Sequence, residues 1–182
     1  MIRSHPKDFR PPQPDGHLDL NSIERIPYRL PQLIKSIQSH ETIFITEGEK
    51  DCDRGNEIGL SCTTFPSGTG KFQDEYFQYF KNAEVVILPD NDKPGIQGAQ
   101  KKTQKLSHSA KSVRILELPN LGPITEHHGM DFSDWLDIPG NDAEKLQELA
   151  KSALRISPPP LWIGFGKHGP NKILFAIASN CF

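Results

Sequence analysis

Cysteine is scarce in this chain and poorly spaced for structure. Cys52, Cys62 and Cys181 are an odd number with no C-x-x-C pair, which excludes a disulfide framework and argues against a structural zinc site. An excess of charge of one sign is also missing. The formal balance is −2 with 24% charged residues, so no global basic field advertises nucleic acid, and any such contact must come from a local patch. Long apolar runs are absent: the longest, Ile173 to Ser179, falls far below the roughly 20 residues of a membrane helix. The N-terminus sets Arg3, His5, Lys7, Asp8 and Arg10 among prolines and has no apolar segment of the kind a signal peptide needs. No internal repeat is visible. A Walker-type loop is lacking too, because Pro66-Ser-Gly-Thr-Gly70-Lys71 has Phe65 where that motif needs Gly and Phe72 where it needs Ser or Thr. These absences predict a soluble, cytoplasmic chain with no membrane partner, and 182 residues suit one well-buried core with extensions.

The stretch Val85-Val-Ile-Leu-Pro-Asp-Asn-Asp-Lys-Pro-Gly95 dominates what is present. Four apolar residues without polar alternation suit a strand buried on both faces, as in parallel sheets, with Pro89 and Pro94-Gly95 stopping it. Three further strands are predicted at Thr42–Thr46, Ser61–Phe65 and Ser112–Leu118. Helices are predicted over Ile26–Ile37 with Pro31 in the first turn, over Glu49–Ile58, Asp74–Phe80 and Ile96–Ser107, and over Asn141–Leu154 with Asn141 as cap. Gly55 lies inside the second of these, where an apolar residue is expected and glycine costs about 1 kcal/mol against alanine, so a loosened helix is predicted. Lys101, Lys102 and Lys105 read as a solvated helix face. Strands alternating with helices predict a three-layer α/β domain around a central, mainly parallel sheet of about four strands. Its bounds are 26–156, with a leading and a closing helix, after a flexible N-terminal arm at 1–25 and before a Pro-rich, apolar tail of unknown role at 157–182.

Acid follows the strands. Glu47 comes after the first, Asp90 and Asp92 after the third, and Asp131 and Asp134 in the loop after the fourth. Ligands gather outside the carboxyl ends of the strands in such sheets, and two carboxylates two residues apart can hold one hard cation through oxygen, as magnesium prefers. A D-x-D alone is equally a polar turn with capped backbone; the second acidic strand end is what favours the metal. Gly68 and Gly70 would let backbone N–H groups approach a phosphate, with Lys71 and Lys50 as the nearest cations, although a surface turn with solvated lysines fits the same residues. His127 and His128, adjacent and without a partner at helical spacing, read as polar loop residues.

Together these acidic turns resemble the Toprim domain, and more closely the primase-like Toprim proteins of phages, plasmids and mobile elements. The similar segments are Tyr28-Arg-Leu-Pro31, Glu47-Gly-Glu-Lys-Asp51, Gly68-Thr-Gly-Lys71, Leu88-Pro-Asp-Asn-Asp-Lys-Pro-Gly95 and Asp131-Phe-Ser-Asp-Trp-Leu136. The resemblance spans roughly residues 26–150 and implies a Toprim fold that binds Mg²⁺ or Mn²⁺ at Asp90 and Asp92. Glu47 would be a catalytic acid/base or further ligand, and Asp131 a further ligand. It also implies DNA primase chemistry, metal-dependent nucleotidyl transfer in DNA replication, with single-stranded DNA template and nucleotides as partners and a helicase or another replication subunit beside them. Bacterial-type primases carry a zinc module and a further catalytic subdomain that are not found in these 182 residues, so the chain alone is expected to be a poor primase. Two other readings stay open, a Toprim-type nuclease and a nucleic-acid or replisome binding module without turnover.

Overall fold

The computed structural model describes residues 25–65 and 74–156. The predicted arm, the glycine loop with Gly68, Gly70 and Lys71, and the C-terminal tail lie outside the described residues. Strands form at β1 Thr42–Ile45, β2 Ser61–Thr63, β3 Glu84–Ile87, β4 Ser112–Ile115 and β5 Arg155–Ile156. They pair in the order β2-β1-β3-β4-β5. The first three pairings are parallel and the last is antiparallel. The sheet therefore has five strands where about four were expected. The extra one is a two-residue edge strand, too short for any alternation pattern to reveal.

Around the sheet lie α1 Leu30–Gln38, α2 Glu49–Glu57, α3 Lys93–Leu106, α4 Phe132–Asp137 and α5 Ala143–Ser152, with a 3₁₀ helix at Asp74–Phe80 in place of the α-helix expected there. Because side chains alternate across a strand, Ile43, Ile45, Val85, Ile87 and Val113 face one side and pack with Leu33 of α1, Phe80 of the 3₁₀ helix, and Ala99 and Leu106 of α3. Phe44, Cys62 and Val86 face the other and pack with Cys52 of α2, Phe132 and Trp135 of α4, and Leu146 and Ala150 of α5. This is the three-layer α/β arrangement expected. Phe65 lies beyond β2 but is buried, its ring 5.5 Å from Tyr76 and 5.6 Å from Phe80.

Several boundaries move for identifiable reasons. Helix α3 starts at Lys93, not Ile96, because Asp92 caps it and Pro94 occupies its first turn, where proline's missing N–H is no loss. Asp142, not Asn141, caps α5 by accepting from the Lys145 N–H. Asn141 instead donates to the Trp135 carbonyl at 2.7 Å, and Leu154, expected on the apolar face, is 83% exposed.

Gly55 corrects the expectation of a loosened helix. It is buried, and a Cβ there would stand 2.3 Å from Cys62 Sγ and 3.2 Å from a Phe132 ring carbon, so the missing side chain is what lets α2 close on β2 and α4. Alanine at an exposed helical glycine gains about 1 kcal/mol. At Gly55 the overlap should reverse the sign, and Gly55→Ala is expected to cost roughly 1–3 kcal/mol in urea unfolding; a stabilised variant would refute this account of the packing.

Candidate metal centre

Parallel strands end at the same edge, so the turns after β1 and β3 emerge side by side. The Leu88 N–H donates to the Ile45 carbonyl at 2.9 Å, carrying the pairing up to the acidic residues. Glu47 and Asp90 flank the first turn of α3: a Cβ on Gly95 would lie 3.0 Å from Glu47 Oε1 and 2.6 Å from the Asp90 carbonyl oxygen. Glu47 Oε1 is buried with no hydrogen-bond partner. Burial raises the Glu47 carboxyl above its ordinary range, with the charges of Asp92 and Asp51 adding to the effect and the charge of Lys102 and the Asp90 N–H working against it. Asp90 is pushed up to about 7, first by burial and then by the negative charges of Glu47, Asp51, Asp131 and Asp92. Four other carboxylates thus bear on one.

The remaining acids are held more tightly. Asp92 is 7% exposed; its Oδ1 accepts from the Gly95 N–H at 2.7 Å and its Oδ2 from the Gly129 N–H at 3.2 Å. It therefore caps α3 and anchors the loop before α4. Asp131 and Asp134 form a capping box on α4, and Asp131 Oδ2 accepts from Lys50 Nζ at 2.6 Å. Burial would raise Asp131, but the Lys50 contact and the N–H groups of Asp134 and Ser133 carry it below the usual carboxylate range. Asp51 is buried on α2 and takes both the Ser133 hydroxyl and, at 3.1 Å, the Ser133 N–H; burial raises its carboxyl.

Of the residues singled out in the sequence, Glu47, Asp90, Asp92 and Asp131 all stand at this edge, and Lys50 is engaged with Asp131. Asp51 and Lys102 were not assigned roles there. Lys102 is the plainest correction: expected on a solvated face, it is 3% exposed. Burial lowers its ammonium while Glu47 and Asp90 draw it up. A helical wheel could have flagged it, because Gly95, Ala99, Lys102 and Leu106 fall at i, i+4, i+7 and i+11 and are all buried.

The D-x-D is clamped from the far side. Asn91 donates its N–H to the Met130 carbonyl at 2.9 Å and its side-chain amide to the Leu121 carbonyl at 3.0 Å. The Lys93 N–H reaches the Thr125 carbonyl at 3.0 Å, and Lys93 Nζ pairs with Glu126. His127 and His128 lie exposed on this loop.

An oxygen-only donor set, an orphaned buried carboxylate oxygen and like-charge crowding around Asp90 suit a hard divalent cation. Among the described residues no three His, Cys, Asp or Glu side chains form a ready-made metal cage. A cavity of about 350 Å³ opens at the opposite edge of the sheet, among Thr42, Ser61, Glu84 and Arg114, and shares no residue with the acidic cluster, whereas one of about 450 Å³ lies beside α2 and α4, lined by Lys50, Arg54, Ser133 and Asp134. Among the described residues no helix is long and apolar enough to cross a membrane.

No protein-family model matches the chain, and no curated protein matches it. Among solved structures it is similar to the Aquifex aeolicus primase, crystallised as its zinc-binding and RNA polymerase domains, with 19% sequence identity and a TM-score of 0.53 over 69% of this chain and 28% of that one. The chain thus spans less than a third of that protein, and what the two share is the primase-like α/β fold.

Proposed function

We propose that residues 26–156 form a Toprim domain of a primase-like replication protein, in which Glu47 and Asp90 bind Mg²⁺ or Mn²⁺ to support nucleotidyl transfer on a single-stranded DNA template. The observation that carries the reading is the crowding at Asp90, whose carboxyl is pushed up to about 7 by burial and by four neighbouring acids; such perturbed groups cluster at functional sites. The primase-like fold supports the same reading at a coarse level.

In phosphoryl transfer a protein mainly positions groups and neutralises charge. A divalent cation held by Glu47 and Asp90 would polarise phosphate oxygens and absorb charge. The chain's own residues supply the rest. Asp92 keeps the D-x-D turn rigid through two backbone donors, and Asp51 fixes the start of α4 through Ser133. Glu47, whose Oε1 has no hydrogen-bond partner, either completes the hold on the cation or, where Asp90 holds it alone, accepts a proton from an attacking hydroxyl. Lys50, 67% exposed at its side chain, is a cation within reach of an incoming phosphate.

The test uses the full chain with Mn²⁺, ribonucleotides and a labelled single strand. Weak incorporation that needs metal and disappears in Asp90→Asn is the expected result. Nicking of the strand would assign a nuclease instead, and binding with neither would assign a binding module.

A further inference from the structure

We propose that Lys102 is the built-in counter-ion of the acidic edge, a positioning residue that offsets part of the Glu47 and Asp90 charge from behind and so limits the edge to one divalent cation. Its consequence for metal rests on the reading above; its premise rests on burial and helix geometry. Lys102 is 3% exposed, on the same buried stripe of α3 as Gly95 and Ala99. Side chains on a helix lean toward its N-terminus, and the buried stripe leads from Lys102 back through Ala99 to Gly95, where a Cβ would lie 3.0 Å from Glu47 Oε1. A buried ammonium is costly unless opposite charge answers it, and an acidic cluster is such an answer. Simple packing would be served as well by methionine, which has similar length and no charge. A fixed cation behind the carboxylates weakens their pull on mobile cations, most of all on a second one.

Mn²⁺ titration by calorimetry, with bound ions counted by electron paramagnetic resonance, tests this on full-length wild type, Lys102→Met and Lys102→Arg. Wild type and Lys102→Arg should each take one ion, whereas Lys102→Met should bind about tenfold more tightly or take a second ion. Unchanged or weaker binding by folded Lys102→Met overturns the proposal, and Lys102→Gln is judged by the same criteria if the methionine variant does not fold. If wild type binds no Mn²⁺, the metal centre itself fails and the stoichiometric consequence falls with it. The counter-ion role is then decided by a urea double-mutant cycle of Lys102→Met with Glu47→Gln. Coupling of at least about fivefold in the unfolding constant upholds it, and additivity overturns it.

Discussion

Asp90→Asn should abolish metal-dependent turnover, by about a hundredfold or more, while making the metal-free protein more stable. Both effects have one cause. Asp90 is half-buried among Glu47, Asp51, Asp131 and Asp92, an arrangement that is costly without a cation and useful with one. Removing the charge relieves the repulsion and the function together. The pH dependence separates this from a general packing effect. The folded Asp90 carboxyl holds its proton up to about pH 7, whereas the unfolded one releases it near the ordinary 3.8. Between those values the folded state binds more protons, so raising the pH favours unfolding. Wild type in chelator should therefore lose stability from about pH 4 to about pH 7, on the order of 2 kcal/mol for this partly solvated group, and change little from this source above that. Asp90→Asn should show a clearly smaller decline, the remainder coming from Glu47 and Asp51, whose carboxyls burial also raises, and Mg²⁺ should restore wild-type stability at pH 8 by mass action. Urea unfolding at several pH values, with and without Mg²⁺, measures all of this; an undiminished decline in Asp90→Asn would assign the repulsion elsewhere.

Gly129→Ala is the second substitution expected to act strongly, although residue 129 carries no chemistry. A Cβ there would sit 2.3 Å from both the carbonyl carbon and oxygen of Asn91 and 2.8 Å from the Asp92 nitrogen. These are backbone atoms, which cannot rotate aside as a side chain can. The same glycine donates its N–H to Asp92 Oδ2, so relieving the overlap pulls the loop off the turn that carries Asp90. A stability loss of roughly 2–4 kcal/mol is expected, together with weakened Mn²⁺ binding. Gly95→Ala should behave similarly, since its Cβ would meet the Asp90 carbonyl oxygen at 2.6 Å. Gly48→Ala is the control: its Cβ would stand 3.8 Å from Asp51 Oδ2, an ordinary contact, and the change should cost less than about 1 kcal/mol. Denaturant midpoints and metal titrations on the three variants check the order, and equal losses would mean that the clamp on the D-x-D is not what matters.

The lysines on α3 show where sequence reasoning stopped. Lys101, Lys102 and Lys105 look alike in the sequence, yet Lys101 is exposed, Lys105 lies 5.8 Å from the Phe77 ring centroid, and Lys102 is buried behind Glu47. Lys102 turns inward because it shares a face with Ala99, Thr103 and Leu106, a stripe with only one large apolar residue and so a weak signal of burial. A similar limit applied to the acids. All the acidic side chains were visible, but not that Asp92 spends its carboxylate on two N–H groups or that Asp51 binds Ser133, 82 residues away.

Local chemistry determined the rest from the sequence alone. Runs of Val, Ile and Phe specify strands, Pro31 suits a helix start, and acids that follow β1 and β3 must share an edge once those strands are parallel. Only the tertiary structure decided which carboxylates remain uncommitted, why Gly55 and Gly129 admit no side chain, and that a two-residue strand closes the sheet. These depend on distances between segments far apart in the chain, which no local pattern encodes.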